Sequence, residues 1–461
     1  MILLFTYIKL MVLLPLYYFT EYEMIFDVLL LNIKKSGSVL IKFCQWSIPR
    51  LNEMYNLDQK KIQKLEELYE RCNFHSMEYT EKIYQKNFHE SIYKKYDSIE
   101  EIASGSIGQV YRMKDKEGEA IALKIIHPNI DCELRTFQYI LYLINLVKPI
   151  RDSIKYYFPI NLTVFLEDFN SQTNLINEAN NNLLFASMYR NNEYIIIPEL
   201  ITVSKQILIM KYEEGKTYRE SDYSYYLLKK IILLQKLFTK NNEIIHRFTH
   251  GDLHRGNWKI RQNNSDIKLI IYDFGFCWKV PPFLYKNSDI LNDSLYNLSI
   301  KTTINDSNID ELAKVANIFC EEKYDRDEIR SEIIKLLDTE RMSIVSPKFF
   351  IKLCLNISRK YSTFIHPTII NCLIIHSQVN DLYKIIIDNN FQENEDYNKH
   401  YFTYNYIGSL INICDTYNIF TELRETLVQD FTILQKQNRM NHIFIDNRFS
   451  ENKRLKLACI T

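Results

Sequence analysis

The sequence predicts an α+β fold, with strands gathered in a middle block and helices before and after it. Three observations carry that prediction. Apolar residues recur at helical spacing over 20–95 and again beyond about 290. Short runs of strand character, bounded by turn residues, fall between 97 and 281. Glycine is scarce, yet seven of the nine glycines lie between 105 and 275. Strands and helices that segregate along a chain mark α+β architecture. The chain has 461 residues, 46% hydrophobic and 25% charged, enough for a sizeable core and incompatible with wholesale disorder. Lys plus Arg equals Asp plus Glu at 57 each, which speaks against a nucleic-acid coat, and no nucleic-acid partner is expected.

Each element follows from its residues. Residues 1–19 are mostly apolar, with Lys9 at their middle and Pro15 near their end. They read either as a buried or interfacial helix broken near Pro15, or as a membrane anchor of marginal length. Residues 20–96 read as a helical extension, with Asp58 as a helix N-cap before Leu65 and Leu68. Ile99 to Tyr111 and Ala120 to Ile126 read as two strands joined by a turn at Lys116-Glu117-Gly118. Residues 131–190 return to helix, interrupted at Pro149 and Pro159. Short strands follow over 194–213, then a long apolar helix over 220–247. Residues 248–281 hold a loop, a short strand pair and a second loop. The chain is helical beyond about 290 and ends in a helical and polar tail over 386–461, basic and frayed from 440. The nine cysteines include no CxxC pair, so a reducing compartment is expected.

The clustered glycines point to a site, because glycine serves where a ligand approaches the backbone. Ala103, Ser104, Gly105, Ser106, Ile107, Gly108, Gln109 and Val110 form a small-residue run that leads into a strand. Small side chains let backbone N–H groups close over a phosphate. Lys124 then sits inside an apolar strand, where an anion must meet it. His250-Gly251-Asp252-Leu253-His254-Arg255-Gly256-Asn257 is followed by Asp273-Phe274-Gly275. The five-residue step from Asp252 to Asn257 matches the Asp-to-Asn step of a kinase catalytic loop. Asp252 would position an acceptor hydroxyl or a water, and Asn257 and Asp273 would hold Mg²⁺ through oxygen. Loop, lysine, catalytic loop and DFG stand in kinase order. A competing reading takes His250, Asp252 and His254 as a transition-metal site, but nothing nearby completes its coordination and it leaves the DFG unused. His127 and His246 carry no partner pattern and read as structural.

These motifs resemble the UbiB/aarF-domain (ADCK-type) atypical kinases. That family has an A-S-I-G-Q-V loop, matched by 104–110 with Gly105 in place of an alanine. Its K-x-G-Q extension motif is matched by Lys42 and Gln45, with Cys44 where glycine is expected. Its E-L-D-x-x-x-E-A-x-N helix is matched by 172–181, with Gln172 and Asn174 in place of the first two acids. The run from Ile209 through Met210 and Tyr212 to Gly215 matches the hinge. The resemblance covers roughly 35–385 and implies a bilobal protein-kinase-like fold. A small lobe with a helical insert would span 97–213 and a large lobe 214–385. It implies that Met210 and Tyr212 line the ATP site, that Glu178 pairs with Lys124, and that Lys42 meets Gln172. It further implies ATP and Mg²⁺ as cofactors, and a kinase or ATPase role in a lipid or isoprenoid-quinone context at membranes. The acceptor is open: a lipid, a small molecule or a protein. HGDLHRGN also resembles the loop of aminoglycoside and choline kinases, so a small-molecule phosphotransferase is an alternative. A non-catalytic, nucleotide-binding pseudokinase scaffold is another.

Overall fold

A five-stranded antiparallel sheet frames one lobe. Its strands are β1 (Tyr96–Ser104), β2 (Gly108–Asp115), β3 (Ala120–Ile126), β5 (Leu200–Val203) and β6 (Ile207–Lys211), in the order β1-β2-β3-β6-β5. The computed structural model describes residues 2–55, 74–190, 194–217, 225–240, 246–263, 266–280, 325–338 and 347–362, with isolated positions between and just after them. The strand expected over 99–111 is two strands. Gly105 N–H donates to the Gly108 carbonyl at 3.0 Å and His127 N–H to the Ile107 carbonyl at 2.9 Å, so the chain turns at the small residues. Apolar side chains alternate inward along β2 and β3, where Tyr111, Met113, Leu123 and Ile125 are buried.

Helices α1 (Ile2–Thr20), α2 (Glu23–Lys34) and α3 (Ser38–Tyr55) precede the sheet, followed by α4 (Met77–Phe88) and the short α5 (Ile92–Lys95). Helix α1 runs through Pro15 rather than breaking there. A proline inside a helix costs about 3 kcal/mol; burial of Tyr7 and Leu10 from the same helix offsets it. Among the described residues, no helix is long and apolar enough to cross a membrane. Asp58 caps as expected, accepting the Lys60 N–H at 2.8 Å.

Between β3 and β4 (Ile195–Ile196) lie α6 (Ile130–Leu146), α7 (Lys148–Tyr157), α8 (Leu162–Gln172) and α9 (Leu175–Met188). Pro149 sits in the first turn of α7, where a missing N–H is harmless. The extension docks on this insert. Phe43 and Trp46 of α3 pack on Phe165 of α8 with ring centroids 5.1 and 5.2 Å apart. Phe165 is fully buried, and its truncation to alanine would cost roughly 3–5 kcal/mol. The Glu133 carboxylate of α6 accepts the Val39 N–H at 3.3 Å, serving the open N-terminus of α3 from another helix. Gly37 makes room for it: its φ is 94°, and a Cβ there would stand 2.5 Å from the Glu133 carboxyl carbon.

The second lobe holds α10 (Tyr225–Lys240), whose Leu228, Ile231, Ile232 and Leu234 are fully buried. Two small sheets follow. Strand β10 (Cys277–Lys279) pairs with β7 (Phe248–His250), and β4 joins β9 (Asp266–Ile271) and β8 (Trp258–Asn263) in the order β4-β9-β8. Helices α11 (Arg326–Asp338) and α12 (Pro347–Tyr361) continue the lobe. The tail expected over 386–461 lies outside the described residues.

Candidate active site between the lobes

Strand β3 carries Lys124 into the space between the lobes. Its Nζ lies 2.9 and 2.8 Å from the two carboxylate oxygens of Glu178 and 3.0 Å from Asp273 Oδ1. Glu178 stands in the first turn of α9, where the helix dipole favours a negative charge. Asn174 opens that helix, its side chain accepting the Ile176 N–H at 3.2 Å. Burial opposes charge on Lys124, but Asp273 and Glu178 outweigh it and hold the ammonium protonated. Burial pushes the Glu178 carboxyl up, to about 7, against the pull of Lys124. Burial also opposes charge on Asp273, yet Lys124 and Lys42 hold its carboxyl well below the usual carboxylate range.

The loop from 251 to 257 is stapled by its own side chains. His250 Nδ1 accepts the Asp252 N–H at 3.2 Å, and its Nε2 faces the Tyr272 carbonyl at 3.3 Å. His254 Nδ1 accepts the Gly256 N–H at 2.9 Å. Asn257 donates its amide N–H to the Asp252 carbonyl at 2.7 Å. These bonds commit both ring nitrogens of His250 and Nδ1 of His254, while His254 Nε2 lies 3.8 Å from Asp252 Oδ2. Among the described residues no three His, Cys, Asp or Glu side chains are grouped to hold a metal, which leaves the transition-metal reading without a site. A Cβ on Gly251 would fall 1.9 Å from the Trp278 ring and 2.7 Å from the Phe276 ring, so any larger residue would force these rings to move. Asp273 holds a φ of 61°, the left-handed region that aspartate tolerates better than most residues. Asn181 of α9 donates to the Phe274 carbonyl at 2.9 Å, and the Phe274 ring packs on Phe185 with centroids 4.9 Å apart. Helix α9 thus sets both the lysine's partner and the backbone of the DFG.

The extension reaches into this space. Lys42 Nζ lies 3.0 Å from Asp252 Oδ2, not at Gln172 as the resemblance implies. The Gln172 amide N–H donates instead to the Asp168 carbonyl at 3.2 Å. A neutral side chain at 172 offers Lys42 no charge, and Asp252 does. Burial opposes charge on Asp252, but Lys42 and His254 hold its carboxyl below its ordinary range. Ser106 donates its hydroxyl to Gln45 Oε1 at 2.9 Å, so Gln45 touches the small-residue loop.

Gly105 to Ile107 form the turn between β1 and β2, and Val110 of β2 pairs with Ala103 on one side and with Lys124 on the other. Met210, buried on β6, pairs with Ala122 on β3. Tyr212 follows, its N–H donating to the Ala120 carbonyl at 2.9 Å and its ring under the Arg112 guanidinium at 4.7 Å. Every predicted site residue is among the described residues. The lysine, the three carboxylates, Asn257, the loop and the two extension residues converge; Met210 and Tyr212 stand at the lobe junction. The sequence reading passed over Asn181, although it occupies the last position of the E-A-x-N pattern, and set His127 aside.

A divalent cation fits the donors present. Asn257 spends its N–H on Asp252, which turns its carbonyl oxygen the other way. The Asp273 side chain is 42% exposed and keeps one oxygen beyond its contact with Lys124. Two cations, Lys42 and Lys124, face the three carboxyl groups of Glu178, Asp252 and Asp273. Oxygen donors of this kind suit Mg²⁺.

An antiparallel small lobe with a strand lysine, a helix glutamate to meet it, and a second lobe bearing Asp252, Asn257 and Asp273 define a bilobal, protein-kinase-like fold. The sequence model of the ABC1 atypical kinase-like domain matches residues 67–298, half of the 461 residues, and the chain belongs to that family. It is 28% identical to the probable serine/threonine-protein kinase abkC of Dictyostelium discoideum over 53% of this chain and 36% of that protein. It is 26% identical to a mitochondrial ABC1 family protein of Schizosaccharomyces pombe over 59% of this chain and 42% of that protein. The chain thus spans well under half the length of these relatives. Among solved structures, it resembles a Mycobacterium tuberculosis protein in complex with erythromycin, 17% identical over 67% of this chain and 83% of that one, with a TM-score of 0.43.

Proposed function

We propose that the chain binds Mg-ATP between the lobes and transfers or hydrolyses its γ-phosphate. The observation that carries this is the Lys124 contact with both Glu178 and Asp273, set beside Asp252 and Asn257. In this reading Ser104 to Gln109 cover the phosphates and Lys124 contacts the α- and β-phosphates. Asn257 and Asp273 hold Mg²⁺, which would offset the phosphate charge. Met210 and Tyr212 border the base. Asp252 positions the acceptor or a water. Membership of the ABC1 family supports this over an aminoglycoside- or choline-kinase-like activity. A lipid or isoprenoid-quinone context, with a lipid, small molecule or protein as acceptor, is what the resemblance of the motifs to the UbiB/aarF-domain kinases implies. Relatives named mitochondrial or chloroplastic support an organellar location. Membrane association through residues 1–19 is part of the reading: Phe5, Val12 and Leu16 are exposed on one face of α1.

One observation favours a second reading, a nucleotide-binding scaffold without turnover. Asp252, the acid this chemistry needs, is already paired with Lys42. The two readings part on the fate of bound ATP. Unchanged nucleotide after hours with Mg²⁺, with and without lipid vesicles, selects the scaffold.

The test of the shared premise is thermal stabilisation of the full chain by Mg-ATP. At ligand a thousandfold over Kd, specific binding stabilises by about 4 kcal/mol. The shift should vanish in Lys124→Ala and in Asp273→Asn. A folded wild type that Mg-ATP does not stabilise would sink both readings.

A further inference from the structure

Beneath the turn at 105–108 lies a run of buried and half-buried polar groups, of which the reading above uses only Gln109. His127 Nε2 lies 2.9 Å from the Gly105 carbonyl, and its Nδ1 lies 2.8 Å from His75 Nδ1. His75 Nε2 lies 3.0 Å from the Thr80 hydroxyl, which lies 2.6 Å from the Tyr111 hydroxyl. The Gln109 amide donates to Tyr111 at 2.7 Å and accepts the His75 backbone N–H at 2.8 Å. The circuit closes on itself.

His127 Nε2 has two neighbours, the Gly105 carbonyl at 2.9 Å and the Ser104 hydroxyl at 3.4 Å, and with both rings neutral the shorter contact sets the protons. A carbonyl only accepts, so His127 carries its proton on Nε2 and leaves Nδ1 bare. His75 must then carry its proton on Nδ1 and leave Nε2 bare. Thr80 donates to that nitrogen, Tyr111 donates to Thr80, and Gln109 donates to Tyr111. Burial keeps both rings below the usual histidine range, and His75 is lowered further by its neighbour.

The consequence falls on the loop. His127 takes the Gly105 carbonyl with its ring and the Ile107 carbonyl with its backbone N–H at 2.9 Å. In a trans peptide the C=O and N–H point in opposite directions. Turning those two carbonyls onto His127 therefore turns the Ser106 and Gly108 N–H groups away from it, and in the Mg-ATP reading the phosphates take that side.

We propose that His127 is a positioning residue for the nucleotide phosphates, with His75 fixing its tautomer. The proposal rests on the Mg-ATP reading above. His127→Leu removes the donor to Gly105 and should weaken Mg-ATP binding about five- to tenfold, as loss of one hydrogen bond implies. His127→Gln places an amide N–H near the position of Nε2 and should restore most of that loss. His75→Asn keeps a donor where Nδ1 stands and should bind within about twofold of wild type, since a surviving hydrogen bond keeps its share of the energy. Calorimetric titration of the full chain reads these affinities, and unfolding without nucleotide checks that each variant is folded. Should His127→Leu not fold, His75→Leu, which removes only the tautomer lock, takes its place and should weaken binding in the same direction. Nitrogen-15 spectra of the histidines read the tautomers independently of any ligand: protonated Nε2 on His127 and protonated Nδ1 on His75. Folded His127→Leu or its substitute binding Mg-ATP like wild type, or the opposite tautomers, would overturn the proposal while the nucleotide reading stands. A folded wild type that does not bind Mg-ATP would overturn the nucleotide reading and this role with it.

Discussion

The two loops that face each other across the lobes are held in opposite ways. The side chains that fasten the loop at 251–257 come mostly from inside it or next to it: His250, His254 and Asn257 bond backbone groups two to five positions away, while the Gly251 N–H on the Phe276 carbonyl and the Tyr272 N–H on the Asn257 carbonyl tie it to the strands that follow. The turn at 105–108 has one internal bond, from the Gly105 N–H to the Gly108 carbonyl, and borrows its side-chain supports. Gln45 is 61 residues from Ser106, and His127 is 22 from Gly105 and leans on His75, 52 positions before it. A self-fastened loop keeps its shape when its surroundings shift. A borrowed one follows the elements that hold it, here the extension helix α3 and the end of β3. The difference suits a rigid acid beside a cover that must admit a ligand.

The largest expected effect breaks the rigid side. In the enzyme reading, Asp252→Asn should lower turnover by roughly 10²–10⁴ while Mg-ATP still binds, the range a positioned acid–base group supplies. A phosphate-release assay beside a titration of binding reads both. Next, Gly251→Ala drives a methyl into Trp278 and should destabilise the fold by roughly 1–3 kcal/mol in chemical denaturation.

Lys42→Met sharpens the borrowed side. It frees Asp252 from an ion pair that is partly shielded from water. If that pair restrains the acid, turnover should rise roughly fivefold, the equivalent of a pair worth about 1 kcal/mol. An unchanged rate would mean that the contact is only structural.

A smaller effect separates the supports by pH. The folded pKa of His75 is lowered from 6.5 to about 4, chiefly by burial. Unfolded chains therefore bind a proton that the fold refuses. The stability this confers is complete above about pH 6.5 and is lost progressively as pH falls toward about 4. His75→Leu should flatten that slope in a melting series, and an equal slope in both proteins would show that other groups carry it. The smallest effect is Gly105→Ala. The nearest atom to an added Cβ is 3.7 Å away, and φ there is not in the left-handed region, so stability should change by less than about 0.5 kcal/mol.

Much of the site could be read along the chain because its chemistry is local. Asp252 to Asn257 and Asp273 to Gly275 are short patterns, and in the first the Asn257 N–H bonds the His254 carbonyl while its side chain bonds the Asp252 carbonyl. Lys124 was legible because a lysine inside an apolar strand demands an anion. The middle block of strands and the helices around it followed from periodicity. The single strand expected over 99–111 failed because its apolar alternation continues across Gly105 and Ser106, where the turn is set by contacts to His127. The break expected at Pro15 failed because packing of Tyr7 and Leu10 outweighs a local preference.

By itself, then, the sequence determined the kind of fold, the acids and lysine of the site, and the order in which they come. Tertiary structure decided their partners. Lys42 meets Asp252 and not Gln172, 210 residues apart in one case and 130 in the other, because α3 lies where a full charge is within reach and an amide cannot compete. His127 became a support for the loop only when α4 brought Thr80, with His75 just before that helix, beneath β2 and β3. Spacing governs what neighbouring residues can do together. Which distant side chains share a proton or a charge is settled by how helices and sheets pack.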